Sequence, residues 1–514
     1  MTLHRFLPAA LLAASTTAHA ADWLTFAGDN QRTGWARGET KLTRENVKGL
    51  KLEWSLKLDN QPRELTSLTT PVIVENQGTP RGFKDLVIVA GSSNTLFAID
   101  ADTGKLFWQR KFGEEAKPKR EPHWLCPNAL NATPVIDKRS RTVYLITSDG
   151  RLHTLNFVNG EDTAAPIQFV PEFSKNWSLN LVNGVLYTNI GQGCNGAKSG
   201  VYSIDLNDPK RPISYFLSTT TGGAGVWGRA GVAVTSKGVV FAETGDGPYD
   251  AAAGKFSDTI LALSPKDLKL ADYYTPANRE WITKKDLDMG NMSAMVFPFK
   301  QWELVAGAGK EGVIYLLDAT APGGADHRTP LYRSPLLTNE EVDFAGRGFW
   351  GAMSTWEDGK GTRWLLAPAW GPPAPSAAPF PKSYGPTPNG SVMAFHVVVK
   401  DGKPALESAW NSRDLNVPEP AIIANGLVFA VSSGENVRQV DSGGRLFASI
   451  DRIKNPAGNA TLYALDAETG ETLYSSEKTM SSFTHFGGTA ISNGRVYVTT
   501  HDGMLYAFGL GAQQ

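Results

Sequence analysis

Three short stretches interrupt an otherwise repetitive chain: "GVWGRAG" (Gly225–Gly231), "DLDMGN" (Asp286–Asn291) and "GKEG" (Gly309–Gly312). Between them they offer an indole flanked by glycines, a loop carboxylate and a lysine beside a turn. Those residue types suit a definite chemistry. A carboxylate such as Asp288 can take a hydroxyl proton. A cation such as Lys310 can steady negative charge on an oxygen. Glycines around Trp227 would let a flat ring lie against the indole. Each also has a plainer reading: a solvated loop aspartate, a solvated turn lysine, a core tryptophan. Asp246, in "TGDG", can bind a hard cation or satisfy its own turn. No HExxH zinc site or nucleophile elbow occurs, and the eight histidines are scattered.

The elements that would position these residues are strands. "LFAID" (Leu96–Asp100) recurs as "LHTLN", "VYSID", "ILALS", "IYLLD", "VMAFH", "LYALD" and "LYAFG". Each unit alternates apolar with small or polar residues, the period of a half-buried strand. Several run into a Thr-Gly turn and a further strand, as in "LFAIDADTGKLFW" and "LYALDAETGETLY". Helical periodicity is nearly absent. The spacing of the units ranges from 43 residues (Leu462 to Leu505) to 78 (Ile314 to Val392). Such an array predicts an all-β, eight-bladed β-propeller, seven-bladed if one irregular unit is an insertion. The last unit lacks an outer strand, and "NVKGLKLEWSLKL" (Asn46–Leu58) would supply it, closing the ring by pairing the two ends. Residues 21–514 then form one domain. Residues 367–391, rich in Pro, Ala, Ser and Gly, read as a long loop that cannot pack as a strand.

Composition narrows the classes. Of 514 residues, 41% are hydrophobic, and 50 Lys+Arg face 51 Asp+Glu, which offers no basic patch for nucleic acid. Residues 1–20 read as a secretory signal ending in "AHA", so the mature protein is expected to be exported, periplasmic or secreted. Nothing else approaches a membrane span. There are two cysteines, Cys126 and Cys194, compatible with a disulfide or with two free buried thiols. No CxxCH is present, so no attached haem is expected.

The "YALDAxTGxxLW" units, and "WLTFAGDNQRTGWARGETKLTRENVKGLKLEW" at the start of the mature chain, resemble the quinoprotein alcohol dehydrogenases. These are propellers that bind pyrroloquinoline quinone (PQQ) and Ca²⁺ on their axis. The resemblance implies an oxidoreductase acting on a small-molecule alcohol or similar hydroxyl substrate. Electrons would pass to a separate acceptor such as a cytochrome. It places Trp227 on the floor beneath PQQ, Asp288 as the base and a possible metal ligand, and Lys310 over the quinone oxygens. Asp246 falls where the family has a metal-binding Asn, and Asn195 near its metal-binding Glu. Gly290 stands where lanthanide-using members carry a second Asp, so lanthanide dependence is not expected. Cys126 falls near the family's pair of adjacent cysteines, but Pro127 follows it and that bridge cannot form. Arg347 and Trp350 could face the axial cavity or simply pack. Because non-catalytic propellers share the repeat, a binding or assembly scaffold in the cell envelope is the alternative.

Overall fold

The computed structural model describes residues 21–114 and 116–511; residues 1–20, read above as a secretory signal, lie outside them. Among the described residues, eight blades, antiparallel but for the edge strand Lys382–Ser383 of the sixth, follow one another along the chain and close into a ring, with a two-stranded parallel sheet, Met292–Ser293 and Gly351–Ala352, beside them. The first blade is Val72–Thr79, Gly82–Gly91, Thr95–Asp100 and Leu106–Lys111, paired in chain order. Its neighbours repeat the scheme, with five strands in the third sheet and six in the sixth. The eighth blade joins Thr489–Ser492, Arg495–Thr499 and Met504–Gly509 to the early strand Lys51–Lys57. That last pairing runs antiparallel, from Lys51 opposite Gly509 to Lys57 opposite Met504. The ring therefore closes by its two ends, as the sequence predicts.

The recurring "LFAID" unit is the third strand of its blade, counted from the axis, and both its faces are buried rather than one. The alternation sorts side chains between two neighbours. Val87, Val89, Phe97 and Ile99 pack toward the eighth blade with Tyr497, Leu505 and Ala507. Leu86, Ile88, Leu96 and Ala98 pack toward the second blade with Ile136, Val143 and Leu155. Each full burial of such a side chain is worth about 1.5–3 kcal/mol, and a lone blade would forfeit it on both faces.

The Thr-Gly turn has a second task. Gly104, Gly160 and Gly470 take positive φ, and a Cβ on any of them would fall 2.5–2.7 Å from an indole: Trp54, Trp108 and Trp410 respectively. Each tryptophan belongs to the outer part of the preceding blade. Their Nε1 groups donate to the carbonyls of Ala101, Phe157 and Ala467 in the next. The repeat thus locks blade to blade. Its aspartates make turns: Asp100 Oδ1 accepts from the Asp102 and Thr103 amides, and Asp466 Oδ1 from those of Glu468 and Thr469.

A thread of chain plugs the axis. Between Trp23 and Ala36 the backbone bonds in turn to Ile73, Ile136, Val234, Val296, Thr355 and Ile423, all on or beside first strands. Arg32, fully buried in this thread, spends its donors on the carbonyls of Val232, Phe26 and Leu179 and on Thr25 Oγ1. Desolvation lowers its pKa to about 9.

The Pro-rich segment departs from expectation. Arg363–Trp370 is a fully buried strand paired along its whole length with Gly390–Val397, so only 371–389 leaves that pairing, and within it Lys382–Ser383 pairs with Trp410–Asn411. Pro368 sits in a strand interior opposite Val392, and Trp370 is almost completely buried.

Candidate active site

A cavity of about 290 Å³ opens on the axis above the plug. A smaller one of about 30 Å³ shares Lys175 and Trp177 with it and reaches Phe26 of the thread. One wall of the main cavity is aromatic. Trp350 stacks on Trp370 at 4.2 Å and 7°, and meets Trp227 edge-on at 5.8 Å. Trp227 owes its place to glycine: a Cβ on Gly191 would lie 2.7 Å from the Trp227 Cβ.

Beside this wall sits the chemistry. Lys310 Nζ lies 2.5 Å from Asp288 Oδ2 and 3.0 Å from Asp286 Oδ1, with both Asp288 and Lys310 buried. The ammonium also lies 5.6 Å from the Trp227 ring and 5.4 Å from the Trp350 ring. Backbone contacts fix the pair: the Lys310 amide donates to the Asp288 carbonyl, and the Asp246 amide donates to Asp288 Oδ1 at 2.6 Å. Gly245 permits that approach, since its Cβ would stand 2.6 Å from Asp288 Oδ1 and 3.0 Å from Trp227 Nε1. Burial opposes the Asp288 charge, but Lys310 and the Asp246 amide prevail and hold its pKa at about 2. Burial likewise opposes the Lys310 charge, and the two aspartates outweigh it and raise its pKa.

Around this pair the remaining carboxylates move the other way. Desolvation and the Asp288 charge raise Asp246 to about 7. Desolvation raises Asp286 to about 6 even with Lys310 beside it. Buried Asp258, which accepts from Thr283 and the Met289 amide, rises to about 8 through desolvation and Asp288. Oxygens of Asp246, Asp286 and Asp288 lie within 4.8 Å of one another, a set of hard donors suited to a Ca²⁺-like ion.

The structure thus gathers Trp227, Trp350, Asp246, Asp288 and Lys310 around one cavity. Three expected residues are elsewhere. Asn195 gives its Oδ1 to the Lys119 amide and its Nδ2 to the Glu172 carbonyl, outside the carboxylate group, so the expected metal placement is corrected. Asn195 is not among the residues lining the cavity, whereas Gln192 of the same turn is. Arg347 turns to Glu341 at 2.8 Å and leaves only its carbonyl, which accepts from Trp350 Nε1. Cys126 bonds Cys194 across 68 residues, settling the open choice for a disulfide. The bridge itself does not line the cavity, but its neighbours Trp124, Leu125 and Gln192 do.

Other lining residues escaped sequence reading. Asp286 shares a loop with Asp288 but takes a left-handed φ of 54°, which no local pattern announced. Trp370 was hidden in the Pro-rich stretch. Lys175, Gln439, Arg452 and His485 come from the third blade and from the segments around the seventh, and nothing in their local sequence sets them apart.

With this geometry the comparisons with known proteins define a class: an eight-bladed propeller with the fold of PQQ-dependent dehydrogenases. Residues 23–193 match the family model "PQQ: Glucose/ethanol/alcohol dehydrogenase, beta-propeller domain". Among solved structures, the chain is similar to a europium-containing methanol dehydrogenase, with a TM-score of 0.61, 13% identity, and 95% of this chain and 98% of that one covered. It is also similar to the quinohemoprotein alcohol dehydrogenase of Comamonas testosteroni, with a TM-score of 0.58, 16% identity, and 96% and 81% covered. Among curated proteins, quinate/shikimate dehydrogenase (quinone) of Acinetobacter baylyi is 28% identical over 160 residues, covering 28% of this chain. The match spans only 18% of that relative's length.

Proposed function

We propose that this protein is an exported PQQ-dependent dehydrogenase that oxidises an alcohol or similar hydroxyl substrate and passes electrons to a separate acceptor. The observation that carries the reading is the buried Asp288–Lys310 pair set against the Trp227 and Trp350 rings. Stability alone is a weak reason to keep such a pair, since replacing buried ion pairs with apolar residues is commonly neutral or stabilising. The residues also fit the cofactor. Trp227 offers a partly open indole to a flat ring, Lys310 a cation to its oxygens, and Asp246, Asp286 and Asp288 an oxygen cage to Ca²⁺. When bound, PQQ supplies the two-electron acceptor that no side chain provides.

The chain's own residues do the rest. Asp288 is ionised across the physiological range and accepts the hydroxyl proton. Lys310 and the Asp246 amide orient its two oxygens, so the accepting lone pair has a fixed direction.

The test is direct. Purified protein is incubated with PQQ and Ca²⁺, the bound quinone spectrum is recorded, and dye reduction is followed over a panel of alcohols. No binding at micromolar PQQ would sink the reading. Asp288→Asn should abolish turnover and leave PQQ bound; undiminished turnover removes Asp288 from its role.

A further inference from the structure

Two cations that make no ion pair with the acidic group line the same cavity. Lys175 opens the short strand Lys175–Asn176 of the third blade, and its side chain is more than nine-tenths buried. Its ammonium lies 5.2 Å from the Trp177 ring. Among the described residues it has neither a carboxylate nor a hydrogen-bond acceptor, yet it lines the main cavity. Arg452, from the helix Ser449–Lys454, lines the same cavity. One of its terminal nitrogens is held by Glu435 Oε2 at 2.7 Å, and Glu435 Oε1 in turn holds His485 Nδ1 at 2.5 Å. Glu435 is therefore committed to two partners, and the ammonium of Lys175 is left without an anion.

An uncompensated buried ammonium is expensive, and a second positive charge facing the same space makes it more so. Natural sequences keep such a group where a ligand completes it. We infer that Lys175 and Arg452 form an anion site in this cavity that takes a carboxylate, without contact to the Asp288–Lys310 pair. The aromatic pair Trp177 and Phe486, 6.2 Å apart and also lining the cavity, suits a carboxylate carried on a ring. Desolvation, then repulsion from Arg452, lowers the Lys175 pKa to about 7, so a bound anion would also restore its charge. The site stands on the geometry alone. Which carboxylate fills it, that of the cofactor or that of a hydroxy-acid substrate, rests on the dehydrogenase reading.

The experiment has two arms. In the first, the unaltered protein, Lys175→Met and Lys175→Arg are titrated with isophthalate and with its uncharged counterpart isophthalamide, followed by tryptophan fluorescence. Isophthalate should bind the unaltered protein about tenfold more tightly, or better, than the diamide. The preference should vanish in Lys175→Met and survive in Lys175→Arg. Equal affinities in the unaltered protein, or a preference that persists in Lys175→Met, overturn the proposal. This arm needs neither cofactor nor turnover, so its failure is distinct from failure of the dehydrogenase reading. The second arm measures PQQ affinity, and KM for a hydroxy-carboxylate against the matching hydroxy-amide. Weakened PQQ binding in Lys175→Met assigns the carboxylate to the cofactor. Unchanged PQQ binding with a KM raised for the acid alone assigns it to the substrate. If neither moves, the proposal falls.

Discussion

Lys310→Met tests the central pair most sharply. Methionine keeps much of the volume and removes the charge that holds Asp288. Breaking one side of a buried ion pair costs about 3–5 kcal/mol, which at roughly 1.4 kcal/mol per pK unit moves Asp288 upward by roughly two to four units. From about 2 in the unaltered protein, the carboxyl should then titrate between about 4 and 6. The expected sign follows. With Lys310 present, the base is ionised at every working pH, so kcat/KM shows no acid limb from Asp288. In Lys310→Met an acid limb appears, and activity falls as pH drops through the new value. Infrared spectroscopy supplies a readout free of turnover: a protonated-carboxyl band should grow in the variant below about pH 5 and be lost again in Asp288→Asn combined with Lys310→Met. An unchanged pH profile together with no such band would refute the claim that Lys310 poises Asp288.

Four further outcomes are expected. Lys175 has a folded pKa below its ordinary 10.5, so its penalty is absent at high pH, grows as pH falls, and is complete below about 7. Lys175→Met should therefore stabilise the ligand-free protein near pH 6 by an amount on the order of 5 kcal/mol in denaturant unfolding, with the gain fading as pH rises toward the ordinary lysine value; a gain independent of pH contradicts this. Removing the disulfide with Cys126→Ser and Cys194→Ser frees a loop spanning 68 residues and should cost about 4 kcal/mol in denaturant unfolding. Gly245→Ala should reduce turnover more than it reduces stability, because the added methyl falls on Asp288 Oδ1 rather than on core carbon. Gly290→Asp should fail to add a metal ligand and should destabilise by about 3 kcal/mol or more, since a Cβ there lies 2.4 Å from the Gly245 amide nitrogen and 2.6 Å from the Gly225 carbonyl oxygen.

The ring was legible because each blade repeats one physical solution. The strand "LFAID", the Thr-Gly turn and the following Trp are local in sequence. What the eye could not see is that Gly104 serves Trp54, not Trp108: the lock reaches back to the preceding blade. The same blindness explains the half-buried strands that proved buried on both faces, because periodicity shows two faces and not what covers them. The Pro-rich stretch misled for a related reason. Composition suggested a loop, but Ala367, Pro368, Ala369 and Trp370 pair with Gly390–Met393 under tertiary constraint.

Most of the legible site was carried by a resemblance. Of the residues it placed, Trp227, Asp246, Asp288 and Lys310 meet at one cavity and Asn195 does not; of the pair singled out beside it, Trp350 lines the cavity and Arg347 does not. The difference lies in the backbone. The first four stand in segments pinned by close glycine contacts at positions 191, 245 and 309, which leave little freedom of placement. Asn195 and Arg347 stand in turns whose side chains find partners of their own.

The cavity's two walls are unbalanced in opposite senses. Three carboxylates face one lysine on one side; on the other, Glu435 serves Arg452 and His485 and leaves Lys175 without an anion. Neither imbalance helps the fold, which is held by the tryptophan–glycine locks and the packed blade faces. Their stability is what lets the axis carry unfavourable charge. The two walls do not neutralise each other across the cavity: desolvation and its aspartate neighbours leave Asp246 at about 7, and Lys175 is depressed to the same value. A cation at the acidic wall and an anion at the basic wall would relieve both at once. The separation also predicts independence: Lys175→Met should leave Ca²⁺ affinity unchanged, and Asp246→Asn should leave the isophthalate preference unchanged, both read by titration of the purified protein. Coupled losses would mean that the two walls form a single site, and the assignment of a separate anion site would fall.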